Sequence, residues 1–134
     1  MSRKEMREEL LQAALAHRTV TYGYLMNRFG LTRGGTGETV VDVLGEIDRA
    51  ESLAGAPGFA AIVVRKDTGY PGGGFFCWEG IPEHLRRPNE RSKDPRLSRA
   101  EREYVKEQQE RIWTYYRGRG NDTGTRPDQS RIDG

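Results

Sequence analysis

The chain has 134 residues, of which 34% are hydrophobic and 31% charged, and its formal net charge is +2. This length suits one domain, and the composition predicts a modest core with a substantial solvated part. So small a net charge does not by itself indicate a nucleic-acid partner. The single cysteine, Cys77, excludes an internal disulfide, and no apolar run reaches the length of a membrane span. We therefore expect a cytoplasmic protein without a membrane partner.

Two helices are predicted in the first thirty residues. Ser2 to about Ala16 carries apolar residues at helical spacing. They are Met6, Leu10, Ala13 and Ala14. A short helix follows over Tyr22 to Phe29, with Thr21 as its N-cap and Gly30 as the left-handed residue that ends it.

A third helix and two strands are predicted next. Thr36 is the expected cap of a helix over 37–51, which has the clearest helical stripe of the chain. Residues 59–65 and 75–78 have the composition of strands, joined by the long glycine-rich connection 66–74. This order predicts an α+β fold: a winged helix-turn-helix of three helices and a β-hairpin.

The C-terminal part is predicted to add a linker and one helix. Residues 1–80 form the winged-helix domain, with a net charge of −1, and the remaining residues carry +3. Residues 81–97 are a basic, proline-rich extended linker. Ser98 and Glu101 have the spacing of a capping box, which opens an amphipathic helix over 98–118 that Gly118 closes. Residues 119–134 are predicted to be disordered.

The segment Val20-Thr21-Tyr22-Gly23, followed by two short helices and an apolar strand, resembles the winged-helix DNA-binding half of the alkyltransferase and alkyltransferase-like DNA-repair family. The resemblance covers about sixty residues. It implies that Tyr22 lies against a DNA backbone.

The chain departs from this family at its reactive strand. The family's Pro-Cys-His-Arg-Val-Val would fall on residues 59–64, which read Phe-Ala-Ala-Ile-Val-Val, so the nucleophile, histidine and arginine are missing. A thiol needs a nearby base or positive charge to react, and we therefore exclude alkyl transfer. The family's arginine near the start of the second helix is also replaced, with Glu38 in its neighbourhood.

Acidic residues make the third helix a poor reader of base edges. Glu38, Asp42 and Glu46 fall on its exposed face, where phosphates would repel them. If the chain binds DNA, contacts from the turn, the wing and the basic linker are favoured instead. If the fold is a winged helix, a structural or protein-docking use of the third helix is therefore about as well supported by the sequence as DNA binding.

Other chemistry has weak signals. The glycines at 72–74 lack the Gly-Lys-Ser/Thr ending of a nucleotide-binding loop, so a turn is favoured over a phosphate site. Cys77 lies between aromatic residues and is expected to pack in the core. His17 and His84 have no metal-ligand spacing, and His17 is expected to end the first helix. We predict no cofactor, no metal and no catalytic residue.

The leading prediction is a small non-enzymatic protein that binds duplex DNA, mostly through the phosphate backbone and with weak sequence preference. The candidate nucleic-acid-binding residues are Tyr22, Arg33, Arg65, Lys66, Arg86, Arg87, Arg91 and Lys93.

The alternative is a protein-interaction or homo-oligomerisation module. It would use the winged helix together with an aromatic strip of the C-terminal helix. The candidate partner-binding residues are Tyr104, Ile112, Trp113, Tyr115 and Tyr116. A third hypothesis, an enzyme that holds a phosphorylated substrate on the glycine-rich connection, has the least support because no base or nucleophile accompanies those glycines.

Overall fold

The first helix, α1 (Arg3–Leu15), buries the predicted apolar stripe. The structure, a computed structural model, describes residues 3–32, 37–78, 80–88, 94 and 96–123, and side chains as far as 118. Met6, Leu10, Ala13 and Ala14 are all fully buried, which confirms the periodicity. The helix ends before His17, whose φ of 58° is left-handed.

The second helix, α2 (Tyr22–Phe29), has the boundaries that its capping residues predict. Thr21 is extended, and its hydroxyl accepts a hydrogen bond from the Tyr24 backbone N–H at 3.1 Å. Gly30 is left-handed, with φ 65°, and its N–H donates to the Met26 carbonyl. Both cap predictions are confirmed.

The third helix, α3 (Val40–Leu53), begins later than the sequence predicts. Its N-cap is Thr39, whose hydroxyl accepts from the Asp42 N–H at 3.0 Å. Thr39 itself is extended and forms an isolated parallel bridge with Thr32, in which the Thr32 N–H donates to the Glu38 carbonyl at 2.9 Å. The predicted start at residue 37 is therefore wrong, and the predicted cap, Thr36, lies outside the described residues.

The sheet is a parallel pair and not the predicted β-hairpin. Strand β1 (Val20–Thr21) pairs with β2 (Val63–Val64), with Val20 opposite Val63 and Thr21 opposite Val64. The predicted strand over 59–65 is reduced to β2, preceded by a 3₁₀-helix over Ala60–Ile62. All residues of the two strands except Thr21 are buried.

A tight turn after β2 replaces the expected wing. The Arg65 N–H donates to the Tyr70 carbonyl at 2.8 Å, and the Gly69 N–H donates back to Arg65 at 2.8 Å. The predicted strand over 75–78 is wrong, since Gly73–Cys77 is a 3₁₀-helix. Three consecutive glycines disfavour a strand, and the turn buries Phe76 in the interior. A winged-helix topology is therefore not confirmed.

The long C-terminal helix, α4 (Arg99–Thr123), belongs to the same core as α1. Its capping box is confirmed: the Glu101 N–H donates to the Ser98 hydroxyl at 3.1 Å, and the Ser98 N–H donates to Glu101 at 2.8 Å. The helix continues through Gly118 to Thr123, so the predicted end is wrong, because one glycine costs only about 1 kcal/mol within a helix. Of the predicted disordered tail, 124–134 lies outside the described residues.

A second, smaller cluster holds the segment that the sequence assigns to a linker. Phe76, Ile81 and Val105 are buried together, and Leu85 and Leu97 pack against them. Glu83–Leu85 is a short 3₁₀-helix. The described part of 81–97 is therefore fixed to α4 by apolar contacts. None of the described helices has the length and apolar character needed to cross a membrane.

Candidate functional site

An open apolar groove of about 740 Å³ lies between α2, α3 and the 3₁₀-helix Gly73–Cys77. Most of its lining side chains are aliphatic or aromatic. The described residues that line it are Tyr22, Met26, Thr32, Val40, Val41, Leu44, Ala60, Arg65, Gly72, Gly73, Gly74, Phe75 and Trp78.

Two walls of the groove expose large hydrophobic side chains. Val41 of α3 is 61% exposed, and Trp78, just after the 3₁₀-helix, is 42% exposed. A methyl group at Gly45 of α3 would lie 4.0 Å from the Trp78 ring, so the indole extends over the surface of α3. Exposed large apolar side chains that share a concave surface are a mark of an interaction site.

The polar end of the groove joins α2 to the turn after β2. The Tyr22 hydroxyl accepts a hydrogen bond from the Gly72 N–H at 3.3 Å, and burial raises the pKa of this phenol. Arg65 lines the groove and donates from Nε and Nη2 to both carboxylate oxygens of Asp67, at 2.9 and 2.7 Å. The parallel β1–β2 pair brings these residues together, because Tyr22 and Arg65 each directly follow a paired strand.

A buried carboxylate positions the floor of the groove at Ala60. Asp48 of α3 is 9% exposed and accepts from the backbone N–H groups of Phe59 and Ala60 at 2.7 and 3.0 Å. Burial raises the pKa of Asp48 to about 6, against the lowering effect of those two hydrogen bonds. Gly58 lies so close that a Cβ there would meet the carboxylate at 2.7 Å.

A second buried acid ties α3 to both α1 and α4. Glu51 accepts from Arg7 at 2.6 and 3.1 Å and from the Tyr116 hydroxyl at 2.9 Å. Burial alone would raise the pKa of Glu51, but the hydrogen bonds from Arg7 and Tyr116 outweigh it and lower that pKa. Burial and the bond to Glu51 raise the pKa of Tyr116. These groups hold the scaffold behind the groove and do not line it.

The predicted nucleic-acid residues that the structure describes do not all line the groove. Arg33, Arg91 and Lys93 lie outside the described residues. Of the others, Tyr22 and Arg65 line the groove, and Lys66 is exposed beside it. Arg86 is exposed and donates to the Ile81 carbonyl at 3.0 Å.

Arg87 is part of the interior and not of a phosphate-binding surface. Its side chain is 9% exposed and pairs with Glu101 at 2.8 Å. Two further bonds, to the carbonyls of Asp94 and Arg96 at 2.8 and 2.6 Å, hold the preceding segment against α4. The guanidinium also lies 5.7 Å from the Phe76 ring.

Two of the acidic residues that disfavour contact between α3 and DNA, Glu38 and Glu46, are partly neutralised. Arg3 of α1 pairs with Glu38 and with Glu46, the latter at 2.7 Å. These bonds lower the pKa of Glu46. Asp42 in the first turn of α3 is exposed.

The predicted partner-binding strip of α4 is largely an internal surface. Ile112, Trp113 and Tyr116 are at most 9% exposed and pack in the main core. Tyr115 packs against that core, and Tyr104 packs against the smaller cluster. Because the chain itself covers these side chains, they leave little area for a partner.

Sequence reasoning missed the groove residues Val41 and Trp78. Val41 lies next to the buried helical stripe, and a lone apolar residue beside such a stripe was the available signal. Ala60 lines the groove but carries no functional group. Among the described residues, no three histidine, cysteine or acidic side chains form a group that could hold a metal ion.

We compared the chain with known protein families, curated proteins and solved structures. No protein-family model, no curated protein and no solved structure matches the chain.

Proposed function

We propose that this chain is a non-enzymatic interaction domain that docks an apolar segment of another protein in the groove. The observation that carries the proposal is the joint exposure of Val41 and Trp78 on one concave surface. Covering apolar surface is favourable in rough proportion to its area, and aromatic side chains are frequent anchors of protein interfaces.

The charge distribution supports docking of a protein over binding of phosphates. Arg65, Arg87 and Arg96 are each paired with an acid of this chain: Asp67, Glu101 and Asp94 respectively. A paired arginine contributes little net charge toward a phosphate, and affinity for nucleic acid depends on phosphate neutralisation.

Photo-crosslinking from inside the groove tests the proposal. Benzoylphenylalanine in place of Val41 should give a discrete protein adduct in cells, whereas the same group in place of Leu53 should give none. Leu53 is the matched control because it is 86% exposed on the same helix and does not line the groove. An adduct of twice the chain mass would identify a homodimer. Equal adducts at both positions, or none at position 41, would contradict a docking role.

Nucleic-acid binding is the second candidate, favoured by the meeting of Tyr22 and Arg65 beside exposed Lys66. Pairing of Arg3 with Glu38 and Glu46 also reduces repulsion from α3. This candidate expects retention of duplex DNA in a low-salt gel-shift titration. Affinity should fall steeply with salt, and Lys66→Gln should reduce that slope by about one. If no duplex and no single strand is retained, nucleic-acid binding is excluded as a function.

A further inference from the structure

We propose that a second cavity, which adjoins the groove, binds a small organic cation, with an ammonium group against the Asp48 carboxylate and a carbon skeleton against the rings of Phe75 and Tyr104. The cavity has a volume of about 300 Å³, which suits a small ligand. Ala60, Phe75 and Trp78 line both the cavity and the groove. The inference does not depend on the docking function proposed above, because its contacts lie on the cavity side of this shared wall.

Asp48 differs from the other buried acids in its partners. Among the described residues, the buried acids are Asp48, Glu51 and Glu101. Glu51 pairs with Arg7 at 2.6 Å, and Glu101 pairs with Arg87 at 2.8 Å. The bonds to Asp48 come instead from two uncharged backbone N–H groups, and the described charge that acts on it is that of Glu51, another acid. Burying an ionised carboxylate without a cation is costly, so a ligand that supplies the positive charge is favoured here.

The Asp48 carboxylate has acceptor positions left for a ligand. An ionised carboxylate offers about four lone-pair positions. The Phe59 N–H takes one on Oδ1, and the Ala60 N–H takes one on Oδ2. Because Asp48 lines the cavity, the remaining positions are open to donors placed there. An ammonium group brings three N–H donors together with the missing charge.

Aromatic side chains favour an organic cation over a bare one. The rings of Phe75 and Tyr104 line the cavity with their centroids 6.4 Å apart and their planes tilted by 52°. Trp78 adds a third aromatic ring to the lining. A cation within about 6 Å of an aromatic centroid is attracted by the ring, and the rings also cover an apolar skeleton. An amine with an apolar body therefore matches the cavity in both charge and shape.

Arg111 is the described cation that lines the cavity, and it supplies an internal test of the ligand's charge. Its side chain is exposed, with Nη1 at 3.4 Å from Oε1 of Gln108. Water screens an exposed charge more than a buried one, so Asp48 outweighs Arg111 in the interior. Removal of Arg111 should strengthen binding of a cation, whereas it would weaken binding of an anion.

An NMR titration with benzylammonium chloride tests the site. Two-dimensional spectra of the full chain should show shifts at Gln108 and Tyr104, with benzyl alcohol, the neutral molecule of the same shape, binding at least tenfold more weakly. Equal binding of the two compounds would overturn the role of charge. Shifts confined to groove residues such as Val41, or no shift at millimolar concentration, would overturn the site.

Matched variants then test the contacts by the same titration. Asp48→Asn should weaken binding of benzylammonium at least tenfold. Asp42→Asn is the control, because Asp42 is an exposed acid of the same helix that does not line the cavity, and it should bind as the wild type. Arg111→Gln should bind at least as tightly as the wild type. Wild-type affinity in Asp48→Asn, or weaker binding in Arg111→Gln, would contradict a cation against Asp48.

The pH dependence of binding tests the carboxylate in the unaltered chain. Burial raises the pKa of Asp48 to about 6, so its negative charge is largely absent at pH 5 and present at pH 7.5. The described groups around it keep their charge in this range: the pKa of Glu51 is lowered, those of Tyr104 and Tyr116 are raised, and Arg111 remains a cation. Affinity for benzylammonium should therefore rise about tenfold from pH 5 to 7.5. Affinity that does not change with pH would overturn the contact with Asp48.

Discussion

Asp48 and Phe59 are joined by a buried hydrogen bond of 2.7 Å, from the Phe59 backbone N–H to the carboxylate Oδ1. The bond ties the middle of α3 to the turn that leads into β2. Because Ala60 in that turn lines the groove, the same carboxylate fixes the groove floor relative to its α3 wall. Asp48 thus holds α3 and the turn before β2 together, and changes to this contact should alter the free energy of unfolding.

Gly58→Ala should destabilise the fold for two reasons, the left-handed backbone at this position and a steric clash with Asp48. Gly58 has φ 83°, which costs a residue with a Cβ about 1–2 kcal/mol, and its Cβ would meet the Asp48 carboxylate at 2.7 Å. Gly55→Ala is the control, because Gly55 has φ 84° but open space around it. Urea denaturation should show the larger loss for Gly58→Ala, and equal losses would contradict a contact with Asp48.

Asp48 should make stability fall as pH rises through about 6. Its pKa is raised by burial from an ordinary value of 3.8 to about 6, so the folded state holds the proton more tightly than the unfolded state. The contribution is therefore full below about pH 4 and lost above about pH 6. A shift of two pKa units corresponds to about 3 kcal/mol.

Comparison with Asp48→Asn isolates this contribution. The free energy of unfolding of the wild type, measured in urea from pH 4 to 7 and taken relative to the variant, should decrease across that range. Glu51, whose pKa is lowered, titrates in both proteins, so its contribution is removed by taking the difference. A difference that stays constant with pH would show that Asp48 does not titrate there.

Glu101→Gln should cost about 3–5 kcal/mol, because it removes the carboxylate with which the buried Arg87 guanidinium pairs. Glutamine still serves in a capping box, so the cost reports the ion pair and not the cap. Glu103→Gln is the matched control: its pair with Arg99 is exposed on both sides, and its loss should cost less than about 1 kcal/mol. Thermal unfolding compares the two, and similar costs would contradict a buried pair.

Val41→Ala should leave stability within about 0.5 kcal/mol of the wild type, as expected for an exposed side chain. Val43→Ala, two residues along α3 and fully buried, should cost about 1.5–3 kcal/mol. Denaturant midpoints measure both. A large loss at Val41 would mean that the residue serves folding, and its exposure would no longer argue for docking.

Local sequence signals predicted the helices well, but they predicted poorly which segments pair with one another. Thr21 and Gly30 bound α2 because a cap acts within one turn of chain, and the Ser98–Glu101 box opens α4 for the same reason. The start of α3 was misplaced because Thr32, a residue outside the helix, bridges to Thr39 and donates to the Glu38 carbonyl. The predicted second strand of the wing was wrong because the residues after the glycines form a 3₁₀-helix instead, which buries Phe76.

The sequence by itself determined the helical stripes, the two caps of α2 and the capping box of α4, since each depends on residue type and short spacing. Only the tertiary structure decided which charges are paired and which apolar side chains are exposed. Arg87 and Lys66 look alike as basic residues, yet one is buried against Glu101 and the other is exposed. The parallel pairing of β1 with β2, and the groove that exposes Val41 and Trp78, join segments distant in sequence. Such contacts depend on how whole elements pack, which no local pattern specifies.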